Sequence, residues 1–181
     1  MDVRPRADTD NSGGATASPL SLSKLIGLNW SIPTTLERTD FMAEYSNSAI
    51  VTVSAGQNVP FTEEVNTGKP SIVHREGAGL VTLRGLTNQC RAKFKVSFGA
   101  NIAIPAGGTA EAITAAISIN GETLNASTAT VTPAAAEDFF NIYVSAVVDV
   151  PRGCCVTVAA KNTSTQPILV ANSNFIVERV A

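Results

Sequence analysis

Cys90-Arg91-Ala92-Lys93-Phe94-Lys95-Val96-Ser97-Phe98 alternates apolar and polar residues at every step. Cys90, Ala92, Phe94, Val96 and Phe98 share one face; Arg91, Lys93, Lys95 and Ser97 share the other. A period of two is the signature of a half-buried β-strand. The pattern recurs downstream at Ile113, Ala115, Ile117 and Ile119 and stops at Asn120-Gly121. Asn-Gly favours a two-residue hairpin, because both residues tolerate the positive φ of a type I′ turn. Thr123 to Val131 is then expected to return as the partner strand.

The same reading extends in both directions. Upstream, Ala49–Val53, Ile72–Arg75 and Leu80–Leu83 read as short strands cut by glycines, and Val59-Pro60-Phe61 is extended, with Pro60 marking an edge or bend. Downstream, Thr132–Asp138 is a connecting loop. Phe140, Ile142, Val144, Ala146, Val148 and Val150 form a long apolar face. Pro151-Arg152-Gly153 turns the chain into Cys154, Val156, Val158 and Ala160, so these two runs read as a hairpin. Pro167 to Val180 supplies the last strand, with Phe175 and Val177 in the core. The expected fold is all-β: a single jelly-roll sandwich of about eight to ten antiparallel strands over residues 42–181.

Residues 1–41 differ. Met1 to Pro19 is polar and aperiodic, which predicts disorder or weak order. Leu20 to Ile32 then alternates like a strand, with a short helix through Leu22, Leu25 and Ile26 as the competing reading. Two accounts of this arm stand side by side. In one it is an anchoring peptide that buries Trp30 on another protein. In the other, translation starts at Met42, with a ribosome-binding sequence encoded around Glu37-Arg38.

Composition narrows the function. Hydrophobic residues make up 44% of the chain and charged residues only 15%, so few groups solvate a monomer's surface and partner subunits are expected to cover part of it. A net charge of -2 argues against nucleic acid and against a polybasic membrane surface. No apolar run spans a bilayer, and the N-terminus lacks a secretory signal pattern. Synthesis in the cytoplasm is therefore expected, with export only as part of an assembled particle. Cys90, Cys154 and Cys155 are an odd count and a poor disulfide framework; buried apolar thiols are expected.

Chemistry is sparse. The only histidine, His74, would have to serve any Ser-His-Asp or Cys-His arrangement, and neither Gly-x-Ser-x-Gly nor a phosphate loop occurs. No cofactor, metal centre or catalytic group is expected. Arg91, Lys93 and Lys95 form a basic stripe that reads either as a receptor for acidic groups or as a solvated face that blocks edge pairing. His74 is a candidate contact, and could hold a metal only where three copies meet on an axis. Tyr143 lies opposite the apolar face of its strand and is a candidate glycan platform or subunit contact.

The succession Val53-Ser54-Ala55-Gly56-Gln57-Asn58-Val59-Pro60-Phe61, Gly79–Gly85, Cys90–Phe98, Ile117–Glu122 and Val148–Val158 resembles the tumour-necrosis-factor-like and complement-globular-domain-like jelly rolls. It also looks like the C-terminal domain of collagen-like spore-surface glycoproteins and like phage surface or head-fibre proteins of gut bacteria. The family's aromatic Gly-x-Tyr position falls at Gln89-Cys90-Arg91 and is missing. There is no Gly-X-Y stalk. The resemblance implies a homotrimer with one sheet of each subunit facing the axis. It implies a non-enzymatic module on the exterior of a virion or spore-like surface, with a capsid or particle protein as partner of the arm. A carbohydrate- or receptor-binding module is the alternative.

Overall fold

A computed structural model describes residues 41–181; Trp30 and the rest of the arm lie outside the described residues. The described residues form twelve strands: β1 Met42–Asn47, β2 Val51–Val53, β3 Glu63–Asn66, β4 Ile72–His74, β5 Val81–Arg84, β6 Arg91–Ala103, β7 Ile113–Ile119, β8 Glu122–Thr123, β9 Ala129–Val131, β10 Phe140–Pro151, β11 Cys155–Asn162 and β12 Ile168–Arg179. They make two antiparallel sheets. One runs β10-β6-β12-β1-β3, with β2 also on β12; the other runs β4-β5-β11-β7-β8, with β9 also on β7.

The core lies between the sheets and follows the alternation. Ala92, Phe94, Val96 and Phe98 are fully buried, and so are Ile113, Ala115 and Ile117. Tyr45, Phe175, Phe98 and Val144 form one inward row across β1, β12, β6 and β10. The Phe61 ring packs 5.2 Å from Phe175 and 6.5 Å from Phe98, within the range of favourable tilted and edge contacts. Asn120 and Gly121 take φ of 51° and 87°, as a type I′ hairpin requires.

Several expectations are corrected. The return strand of that hairpin is broken: a 3-10 turn at Asn125–Ser127 separates β8 from β9. The buried Ser127 hydroxyl holds the break, accepting from the Ile117 N–H (3.0 Å) and donating to the Leu124 carbonyl (2.8 Å). β10 and β11 are not a hairpin. β10 pairs with β6 in one sheet and β11 with β5 and β7 in the other, so Pro151-Arg152-Gly153 carries the chain between sheets. Strand structure begins at Met42 rather than Ala49, because Ala43, Tyr45 and Asn47 all point into the core. Cys155 is an exposed free thiol because it points away from the core, opposite in parity to the buried Val156; Cys90 and Cys154 keep the inward parity but are exposed free thiols too, at strand ends beyond the cover of the opposite sheet. Phe140, placed on the apolar face by its parity, is exposed for the same reason.

Candidate functional site

The outer face of the β10-β6-β12 sheet carries four of the candidate residues, and its register sorts them by chemistry. At one end Lys93 faces Asp149 on β10, and Lys95 faces Val147 on β10 and Glu178 on β12. Opposite charges on neighbouring strands attract. Lys93 and Lys95 are therefore interleaved with acids rather than forming a free cationic surface, while Arg91 faces Pro151. The middle of the face is uncharged. Gly99 lies between Tyr143 and Asn174, and Ser97 lies between Ser145 and Ile176. The Tyr143 hydroxyl donates to Ser97 Oγ at 3.0 Å, which leans its ring along β6 while leaving it 62% exposed. Val147 is equally exposed at 62%. A shallow depression of about 340 Å³ lies here, walled by Tyr143, Gly99, Asn174 and Ile176.

The far end is built from amides. Asn141 Nδ2 donates to Asn101 Oδ1 at 3.1 Å. Beside this pair, β12 is bulged: its register against β6 shifts between Ala171 and Asn174, and Asn172 takes a φ of 48°. Ile50 and Phe139, both exposed, complete a second depression with Ser48, Asn101, Ala171 and Asn172. Ser48 and Ser46 donate to the Glu63 carboxylate at 2.8 Å each, and these bonds hold that carboxyl below its usual range.

His74 is not part of this face. It sits on β4 in the other sheet, with its ring turned inward 4.4 Å from the Tyr45 ring. Its Nε2–H donates to the Ala78 carbonyl at 2.9 Å. Nδ1 is buried without a partner, as is the Tyr45 hydroxyl. Among the described residues no group of three His, Cys, Asp or Glu is placed to hold a metal ion. Burial, and then the Glu64 carboxylate, push the Tyr45 phenol well above the ordinary tyrosine range.

A raised phenol pKa means that the neutral form stabilises the fold below about pH 10 and that this contribution is lost as pH rises beyond it. Tyr45→Phe removes both the unpaired hydroxyl and the titration. The variant is expected to equal or exceed the parent by up to about 1 kcal/mol at pH 7, and to lose less stability between pH 9 and 11. Urea midpoints across that range check it; a variant weaker at every pH would mean that the hydroxyl has a partner.

Sequence reading missed Asn162, which is fully buried and bonds both sheets. Its signal was parity: Asn162 continues the inward series Val156, Val158, Ala160.

No protein-family model and no curated protein matches the chain. Among solved structures it is similar to murine APRIL, at 12% identity and a TM-score of 0.53 over 76% of this chain and 98% of that one. It is similar to the Eiger TNF of S. frugiperda at 14% identity and a TM-score of 0.53, over 78% and 92%. The globular domain of the zebrafish complement 1qA protein aligns at 8% identity and a TM-score of 0.46, over 78% and 98%. Two antiparallel sheets packed as a sandwich, and the likeness to murine APRIL and the Eiger TNF over most of each chain, give the chain the tumour-necrosis-factor-like jelly-roll fold that its strand motifs resemble.

Proposed function

We propose that this chain is a non-enzymatic structural module that assembles as a homotrimer and is displayed on the exterior of a particle, a phage virion or a spore-like surface. The observation that carries the trimer is the outer face of the β10-β6-β12 sheet, where Tyr143 stands 62% exposed in the uncharged middle and Val147, equally exposed, borders it beside Lys95. Apolar side chains gathered on one sheet face favour a covering partner. A second copy supplies one, and closed threefold symmetry covers the face without open-ended growth. The interleaved charges at one end of the face set the register between copies. Display is supported by polarity along the strands. Phe41 and Ala181 both lie at the charged end, Phe41 beneath the Arg179 guanidinium and Ala181 bonded to Lys93. An arm that enters there, anchored on a capsid or particle protein through Trp30, leaves the opposite loops facing outward.

Light scattering on the full chain tests the assembly. Three times the chain mass, surviving dilution to micromolar concentration, is expected. Val147→Glu places a charge on each copy's face and is expected to yield a folded monomer, because the side chain makes little contact within its own subunit. A parent protein that is already monomeric overturns the trimer.

A second reading is recognition of glycans on a host surface. It is favoured by the amide-lined depression at the far end of the face, away from the charged end where Phe41 and Ala181 lie.

A further inference from the structure

We propose that the depression formed by Ser48, Ile50, Asn101, Phe139, Ala171 and Asn172 binds a neutral saccharide; this rests on the glycan reading and assigns it a site. Its volume, about 440 Å³, is within the range of small-ligand sites and holds one or two pyranose rings. None of its six lining residues is charged, which disfavours phosphate, sulfate and carboxylate ligands. What remains is a combination of two side-chain amides and two exposed apolar side chains. An amide offers a donor and an acceptor side by side and meets vicinal hydroxyls in the same way. The C–H face of a pyranose packs against an apolar or aromatic surface, here Phe139 and Ile50, which are 41% and 63% exposed.

The backbone supports the assignment independently. β12 lies inside its sheet, between β6 and β1, where a bulge interrupts a ladder that would otherwise run unbroken. The extra residue is Asn172 in the left-handed region, a conformation that asparagine tolerates better than most residues do. Bulges re-aim side chains, and this one brings Asn172 into the walls of both depressions on the face. Asn101 is oriented as well: its Oδ1 is held by Asn141 Nδ2, which leaves its own Nδ2 for a ligand hydroxyl. The site lies eight residues along β6 from Lys93, roughly 27 Å from the charged end. It therefore sits on the end that particle attachment leaves outward.

The test uses the full chain on an array of neutral oligosaccharides built from glucose, galactose, mannose and their N-acetyl forms, with acidic glycans alongside. Binders are then titrated against the parent, Asn172→Gly, Phe139→Ala and Lys93→Gln. Glycine adopts positive φ freely, so Asn172→Gly keeps the bulge and removes only the amide. A neutral glycan bound at least about tenfold more weakly by both Asn172→Gly and Phe139→Ala, and unchanged in Lys93→Gln, is the expected result. Neutral glycan binding that both variants retain in full overturns this site and leaves the glycan reading standing. Binding confined to acidic glycans and lost in Lys93→Gln moves recognition to the charged end and overturns the site. No binding to any glycan overturns both. Light scattering on each variant separates these outcomes from loss of assembly.

Discussion

Asn162→Asp is expected to cost about 3–5 kcal/mol near neutral pH, a large share of the 5–15 kcal/mol that holds a domain together. The change replaces one side-chain nitrogen by oxygen and leaves the volume nearly unaltered, so packing is not the cause. Asn162 is fully buried at the end of β11. Its Nδ2 donates to the Val53 carbonyl and to the Gln166 carbonyl, each at 3.0 Å, while Oδ1 accepts the Ser164 N–H at 2.9 Å. Val53 belongs to β2 in one sheet and Asn162 to β11 in the other, so this amide ties the sandwich layers together at one edge. A carboxylate there turns an oxygen toward two carbonyl oxygens and carries a charge out of water. The sign of the pH dependence follows. Burial and repulsion raise the folded-state pKa of the introduced carboxyl above its unfolded value. Its protonated form, which regains one donor, is favoured by folding. The deficit relative to the parent is therefore smallest below the ordinary carboxylate range. It grows as pH rises through that range and levels off above the raised pKa. Urea midpoints of parent and variant at pH 4 and pH 7.5 measure this. Coincident midpoints at pH 7.5 would mean that the two donor bonds of the amide contribute nothing to holding the layers together.

The inward and outward faces of the long strands were legible because burial follows parity. Ala92 to Phe98 and Ile113 to Ile117 point where their alternation says. Asn120-Gly121 marked its turn because few residue pairs accept two positive φ values in succession. Partner choice was not legible. A three-residue turn such as Pro151-Arg152-Gly153 looks the same in sequence whether the flanking strands pair or diverge. Exposure at strand ends was also hidden, because it depends on how far the opposite sheet extends. Cys90 keeps the parity of Ala92 and is still solvent-exposed. The far depression draws on four segments well separated in sequence, and no local pattern connects Ile50 with Phe139. One of its parts did leave a trace. In β12 the inward residues are Ile168 and Val170 on even numbers, then Phe175 and Val177 on odd numbers. A strand can change parity without leaving its sheet only by a bulge, so the position of Asn172 was written in the spacing of apolar residues around it.

Gly85→Ala is expected to destabilise the fold by about 3 kcal/mol or more, and to lower the melting temperature by about 10 °C or more. The reason lies at the crossing between the sheets. The Gly85 N–H donates to the Cys154 carbonyl at 2.9 Å, and its own carbonyl accepts the Gly153 N–H at 3.1 Å. The backbone just beyond β5 is thereby pressed against the turn that carries the chain from β10 to β11. A Cβ on Gly85 would overlap the Pro151 carbonyl oxygen and lie 2.9 Å from its carbonyl carbon. Both obstacles are backbone, so no side-chain rotation relieves them. Separating the two segments breaks the paired hydrogen bonds and displaces β10 and β11 relative to each other. Those strands belong to different sheets, so the displacement reaches the core on both sides. Gly99→Ala serves as the control. Its added methyl group meets the Tyr143 ring edge at an ordinary 3.7 Å, and a change within about 1 kcal/mol is expected. Thermal unfolding of parent and both variants at one protein concentration separates the cases, since association would otherwise move the midpoints. A Gly85→Ala midpoint level with that of Gly99→Ala would mean that the crossing yields, and that the layers are not locked where Pro151 meets Gly85.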